Sequence, residues 1–108
     1  MHPVFELAHR YGIEIEYADL GEWGVDELRS EYDPDGPVIR VNKRVIENLP
    51  VSEIGDFIAF SVAHELYHHR EHRAEIPRLL DRGARETAAN DFARHLVGPP
   101  PSTAPSGS

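Results

Sequence analysis

The chain contains no cysteine, and that absence removes both a disulfide framework and any thiolate metal site. A metal held here must take histidine, aspartate, glutamate or water, a donor set suited to a catalytic site more than to a structural one. Long hydrophobic runs are missing too. No stretch approaches the roughly 20 apolar residues that span a bilayer, and the N-terminus Met-His-Pro-Val-Phe-Glu-Leu lacks the basic lead and apolar core of a secretion signal. A cytoplasmic protein with no membrane partner is expected. Cations are in deficit, 11 Lys+Arg against 19 Asp+Glu for a net charge of −8. That balance argues against nucleic acid as a direct ligand, because neutralising phosphates needs a surplus of Lys and Arg.

With 108 residues, 40% hydrophobic and 28% charged, the chain can bury one core and is too short to add a regulatory module. A single domain over 1–98 is expected, followed by a disordered tail over 99–108 that is rich in Pro and Ser and uncharged. Within the domain the charge is unevenly placed. Residues 1–63 hold 13 acids against 5 bases, whereas 64–96 hold 6 of each, the bases being Arg70, Arg73, Arg78, Arg82, Arg85 and Arg94. Such a run is ordinarily a solvated helical face. The sharper reading is a binding surface for an acidic segment of a partner.

Helical spacing of Val4, Leu7, Ala8 and Tyr11 predicts an opening helix over 3–11, with Gly12 as its stop. Ile13, Ile15 and Tyr17 alternate with Glu14 and Glu16, the period of a strand with one wet face. A loop over 20–26 follows. Two extended segments at 28–32 and 38–41 then flank the turn-forming run Asp33-Pro34-Asp35-Gly36-Pro37. Together these predict a small antiparallel sheet of about three strands. Beyond Asn42 the pattern is helical. A short piece over 43–48 ends at Leu49-Pro50, and a longer helix capped by Ser52 has Ile54, Phe57, Ile58, Val62 and Leu66 as its core stripe. A turn around 75–83 leads to a last helix over 84–96, with Ala89, Phe92, Ala93 and Leu96 at 3/4 spacing. The class is α+β.

The longer helix carries His64-Glu65-Leu66-Tyr67-His68, an HExxH pentapeptide. Residues four apart share a helix face, so both imidazoles can reach one Zn²⁺ while Glu65 leans toward a water on the same ion. A catalytic zinc usually takes three protein ligands and leaves a position for water. The third could come from His69, His72, His95, Glu71, Glu75, Glu86 or Asp91. His69 points away from the shared face, and His72 stands two turns past His64, about 12 Å along the axis. A ligand from a second, packed helix is easier. Glu86 leaves room for that return, and equally suits an ordinary exposed glutamate near a helix N-terminus. The metzincin pattern HExxHxxGxxH fails, because Glu71 and Ala74 stand where its glycine and third histidine belong.

The run Phe60-Ser61-Val62-Ala63-His64-Glu65-Leu66-Tyr67-His68, followed by Glu86-Thr87-Ala88-Ala89-Asn90-Asp91-Phe92-Ala93-Arg94-His95-Leu96 and then Pro99, resembles the ImmA/IrrE-type metallopeptidase family. That family shows an apolar lead into Ala-His-Glu-x-Gly-His, then Glu-x-x-Ala-Asn-x-Phe-Ala-x-x-Leu and a proline. The resemblance covers about residues 1–99 in order, and its specific part is confined to the two motifs. It implies a minimal zincin-like fold in which His64, His68 and Glu86 are zinc ligands in a gluzincin arrangement and Glu65 is the catalytic base. Tyr67, His72 and Asn90 become candidates for supporting the ligands or the transition state. Two positions depart from the pattern: Tyr67 replaces the glycine of the pentapeptide, and Ala88 replaces a second glutamate common in the family.

The resemblance further implies a cytoplasmic protease of a regulatory protein or peptide, typically a helix-turn-helix transcriptional repressor. Two rival readings stay open on the sequence. One is a catalytically inactive zincin-fold module that binds a regulator or toxin partner without cutting it. The other is a metal-free helical domain in which His64 and His68 are ordinary core or surface histidines.

Overall fold

The elements follow in chain order as α1 (Pro3–Arg10), β1 (Glu14–Ala18), β2 (Ser30–Asp33), β3 (Val38–Asn42), α2 (Lys43–Glu47), α3 (Val51–His72) and α4 (Arg82–Val97). They are those of a computed structural model that describes residues 3–21 and 29–98. The expected tail over 99–108, and the expected loop over 20–26 apart from Leu20 and Gly21, lie outside the described residues. Helix α1 ends as its sequence predicts. Gly12 takes a φ of 72°, and the backbone N–H groups of Gly12 and Ile13 donate to the carbonyls of His9 and Ala8. A residue with no Cβ adopts that left-handed conformation without penalty.

The three strands form one sheet in the order β1-β3-β2. Strand β2 pairs antiparallel with β3, as expected for a hairpin through 34–37, but β1 runs parallel to β3. The sheet is therefore mixed rather than antiparallel. Alternation cannot distinguish the two, because side chains alternate faces in either kind of strand. Val38, Ile39, Val41 and Asn42 of β3 are all buried, whereas in β1 only Ile15 and Ala18 are even partly so and Tyr17 is exposed. A strand covered on both faces belongs in the middle. With β3 in the middle and β2 on one edge, β1 takes the other edge. Arg40 on the outer face meets Glu16, Glu31 and Asp33 from the flanking strands at 3.3–3.6 Å. Pairs this exposed add roughly 0–1 kcal/mol each, so they set register more than stability.

Helix α3 is the hub, packing on α1, β2, β3 and most extensively on α4. Phe57, Val62 and Leu66 are buried, as the core stripe requires, and Ile54 and Ile58 pack partly buried against them. Ala59, Phe60, Ser61 and Ala63 are buried as well. The middle of α3 thus has no wet face, the signature of a helix enclosed by neighbours rather than lying on a surface. Its N-cap is Pro50, with no side-chain cap bond. The cap expected at Ser52 is not made, because proline's fixed φ starts the helix two residues earlier and places Ser52 inside its first turn. Helix α4 begins earlier than the spacing suggested, capped by the Asp81 carboxylate, which accepts from Ala84 N–H at 2.7 Å. Among the described residues no helix is long and apolar enough to cross a membrane.

Candidate metal centre

His64 and His68 sit on the face of α3 that meets α4. Ala89 and Ala93 of α4 are fully buried, and such small residues let two helix backbones approach closely. Glu86 and Asn90 are four apart and therefore share a face of α4. That face is brought onto the two histidines. The Nε2 atom of His64 lies 3.1 Å from Glu86 Oε1, and the Nε2 atom of His68 lies 3.1 Å from Glu86 Oε2. Glu65 is buried and completes the group, with Oε2 3.9 Å from His64 Nε2. Ligand atoms of His64, Glu65 and His68 all lie within 4.8 Å of one another, and this group could hold a metal ion.

The other ring nitrogens are engaged. His64 Nδ1 pairs with Asn90 Oδ1, and His68 Nδ1 pairs with Glu71 Oε1, each at 2.8 Å. Both acceptors are oxygens, so each Nδ1 donates, and in a neutral imidazole the lone pair then lies on Nε2. Two lone pairs and a carboxylate consequently face one another with no donor between them. Either both rings carry an extra proton or a cation sits there. The donor set fits Zn²⁺, and the oxygen partner on each Nδ1 is the usual companion of a metal-binding histidine, fixing tautomer and ring orientation.

Without a metal the conflict is resolved by protons. Burial alone would push the His68 imidazole down, but hydrogen bonds to Glu86 and Glu71 raise it to about 9. His64 moves up for the same reason, burial being outweighed by Glu86 and Glu65. Hydrogen bonds from His64 and His68 hold Glu86 far below the ordinary carboxylate range. Glu65 moves the other way, because burial raises it, and Ser30 Oγ at the start of β2 donates to its Oε2 at 2.7 Å. Burial would also raise Glu71, but bonds from Arg85 and His68 hold it low. Arg85 donates to both of its oxygens at 3.1 Å.

The remaining ligand candidates are placed elsewhere. His69 is buried, with Nδ1 2.7 Å from Tyr32 Oη, in edge contact with the Tyr11 ring. Glu75 pairs with Arg70, Arg73 and the Tyr11 hydroxyl. Asp91 pairs with Arg94, and His95 Nδ1 donates to the Asp91 carbonyl. His72, one turn past His68, lines a cleft beside the site with Tyr32 and His68. Tyr67 does not line that cleft; its ring packs near His68 and Phe92, with centroids at 5.8 and 6.0 Å.

Glu71, Ser30 and Arg85 support the site in roles that the sequence does not predict. Glu71 was legible in principle, since a residue three past His68 shares its side of the helix. Ser30 and Arg85 were not, because their partners lie 35 and 14 residues away. The chain has no significant match to a protein-family model, a curated protein or a solved structure.

Proposed function

We propose that the chain is a zinc-dependent metallopeptidase with a zincin-like fold of the ImmA/IrrE type, in which His64, His68 and Glu86 hold the metal and Glu65 is the general base. The observation that carries the reading is the convergence of two Nδ1-anchored imidazoles and one carboxylate on a common point from two helices. A structural role alone does not require two histidines to aim their lone pairs at a carboxylate. What Zn²⁺ supplies when bound is Lewis acidity, which lowers the pKa of a water toward neutrality and polarises a carbonyl.

The chain's own residues do the rest. Glu65 Oε2, steadied by the Ser30 hydroxyl, accepts the proton of the attacking water and returns it to the leaving amine. Burial raises its pKa above the ordinary carboxylate value, which makes it a stronger base. Asn90 and Glu71 keep the imidazoles in the ligating tautomer. His72 and Tyr32, on the cleft wall, are placed to donate to an oxyanion, whereas Tyr67 is turned toward Phe92. Strand β2 is an edge of the sheet and packs on α3, a position from which an extended substrate segment could be paired. A flexible segment of a regulatory protein such as a transcriptional repressor is the substrate class proposed, in the cytoplasm.

Elemental analysis and cleavage assays test this together. Purified without chelator, the protein should carry about one zinc per chain, lost in His68→Ala. Glu65→Gln should keep the metal and lose peptide cleavage by about 10²–10⁴-fold. Cleavage by Glu65→Gln at the parental rate would refute the mechanism. Zinc bound without turnover on any protein substrate would instead support the non-cleaving binding module.

A further inference from the structure

The cleft beside the metal centre has a charge that the proposed mechanism does not use. It encloses about 170 Å³, less than the roughly 300–1,000 Å³ of a site for a drug-sized ligand. That suits a single side chain. His68, His72, Arg78, Arg85 and Glu71 supply its polar wall, and Tyr32 supplies an aromatic one. Glu71 is the only acid among these residues, and its carboxylate is already taken by Arg85 and by His68. Arg78, among the described residues, has no carboxylate partner. The wall is therefore left with an uncompensated guanidinium a short way from His68.

We propose that this cleft is a specificity subsite that binds an acidic side chain of the substrate, with Arg78 as the anchor. The inference rests on the peptidase reading for the identity of its ligand as a substrate residue. A basic side chain would meet Arg78 as a like charge. An apolar one would strip water from the guanidinium without replacing its hydrogen bonds. A carboxylate matches the planar fork and can take two of its N–H groups at once. The chain's net charge of −8 opposes an acidic ligand at a distance. That opposition is screened over about 8–10 Å at ordinary ionic strength, while contact with Arg78 is not. The arginine-rich surface of 64–96 thus gains a defined purpose at one of its members.

The test is a ¹⁵N–¹H NMR titration of the full-length, zinc-loaded protein with three small probes: N-acetyl-glutamate α-amide, its glutamine isostere, and N-acetyl-alanine with a free C-terminus. The glutamate probe should shift the resonances of His72 and Arg78, at least about tenfold more tightly than the glutamine probe, one charge-assisted pair being worth that factor. Arg78→Glu, a change at an exposed position, should abolish the preference. Equal binding of glutamate and glutamine probes overturns the proposal. So does glutamate binding that survives Arg78→Glu, which would place the carboxylate on the metal. If N-acetyl-alanine binds as tightly as the glutamate probe, the site reads a chain terminus and the side-chain assignment fails. Digestion of a randomised peptide library separates this from the parent reading. Cleavage without an acidic preference sinks the subsite alone, and carboxylate binding without any cleavage sinks the peptidase reading.

Discussion

Glu65 is the residue on which the proposed chemistry depends, and its neighbours define what it can do. A buried carboxylate in water-poor surroundings is held back from ionising, and its position is fixed by whatever hydrogen bond it retains. Here that bond comes from Ser30, 35 residues away on β2 at 2.7 Å. Ser30→Ala should therefore lower kcat by about tenfold or more while leaving KM within about twofold, because the missing bond orients the base without touching the substrate. Zinc content should stay at one equivalent. A raised KM with kcat intact would show that Ser30 acts on substrate binding instead.

At the scale of elements, the site exists because α3 and α4 lie close enough for one carboxylate to reach two imidazoles. Ala89 and Ala93, both without solvent exposure, make that approach possible. Ala89→Leu should overpack the interface at a cost of about 1–3 kcal/mol and lift Glu86 and Asn90 off the histidines. Thermal melts and zinc titrations would record the two losses together, whereas Thr87→Leu, on the exposed side of α4, should leave zinc affinity unchanged. Retained zinc affinity in Ala89→Leu would mean that Glu86 does not depend on this packing. How much of this was legible in sequence divides along the range of the interactions. The helices, the three strands, the stop at Gly12 and the shared face of His64 and His68 follow from local periodicity and motif spacing, whereas spacing left Glu86 one of several partners and only the resemblance of its motif singled it out. The parallel pairing of β1 with β3 and the contacts of Ser30 and Arg85 follow from neither, because each depends on where a distant segment returns. The Asp81 cap is an intermediate case: its signal, an acid three residues before Ala84, is local but short.

The whole molecule carries a consequence of burying charged groups at its main helix interface. In the metal-free chain His68 is raised to about 9 from 6.5, so its pairing contributes stability that is complete below pH 6.5 and lost as pH climbs through about 9. Glu86 is depressed from 4.5, so its share is present above pH 4.5 and lost on acidification. The two together confine the metal-free protein's greatest stability, as far as this cluster sets it, to the interval between about pH 4.5 and 6.5. Zinc reverses the alkaline side of that window. Binding displaces the extra protons from the imidazoles, so affinity rises with pH, and protons should be released on uptake at neutral pH. At a free zinc concentration 100 times Kd the folded state gains about 2.7 kcal/mol, which for a domain of this size shifts Tm by about 10 °C or more. Melting curves with and without chelator from pH 5 to 9 should therefore diverge as pH rises, the zinc-loaded protein holding its Tm while the chelated one falls. Parallel curves, or a gap that closes toward pH 9, would mean that protons and metal do not compete for His64 and His68, and the shared-site assignment would fail.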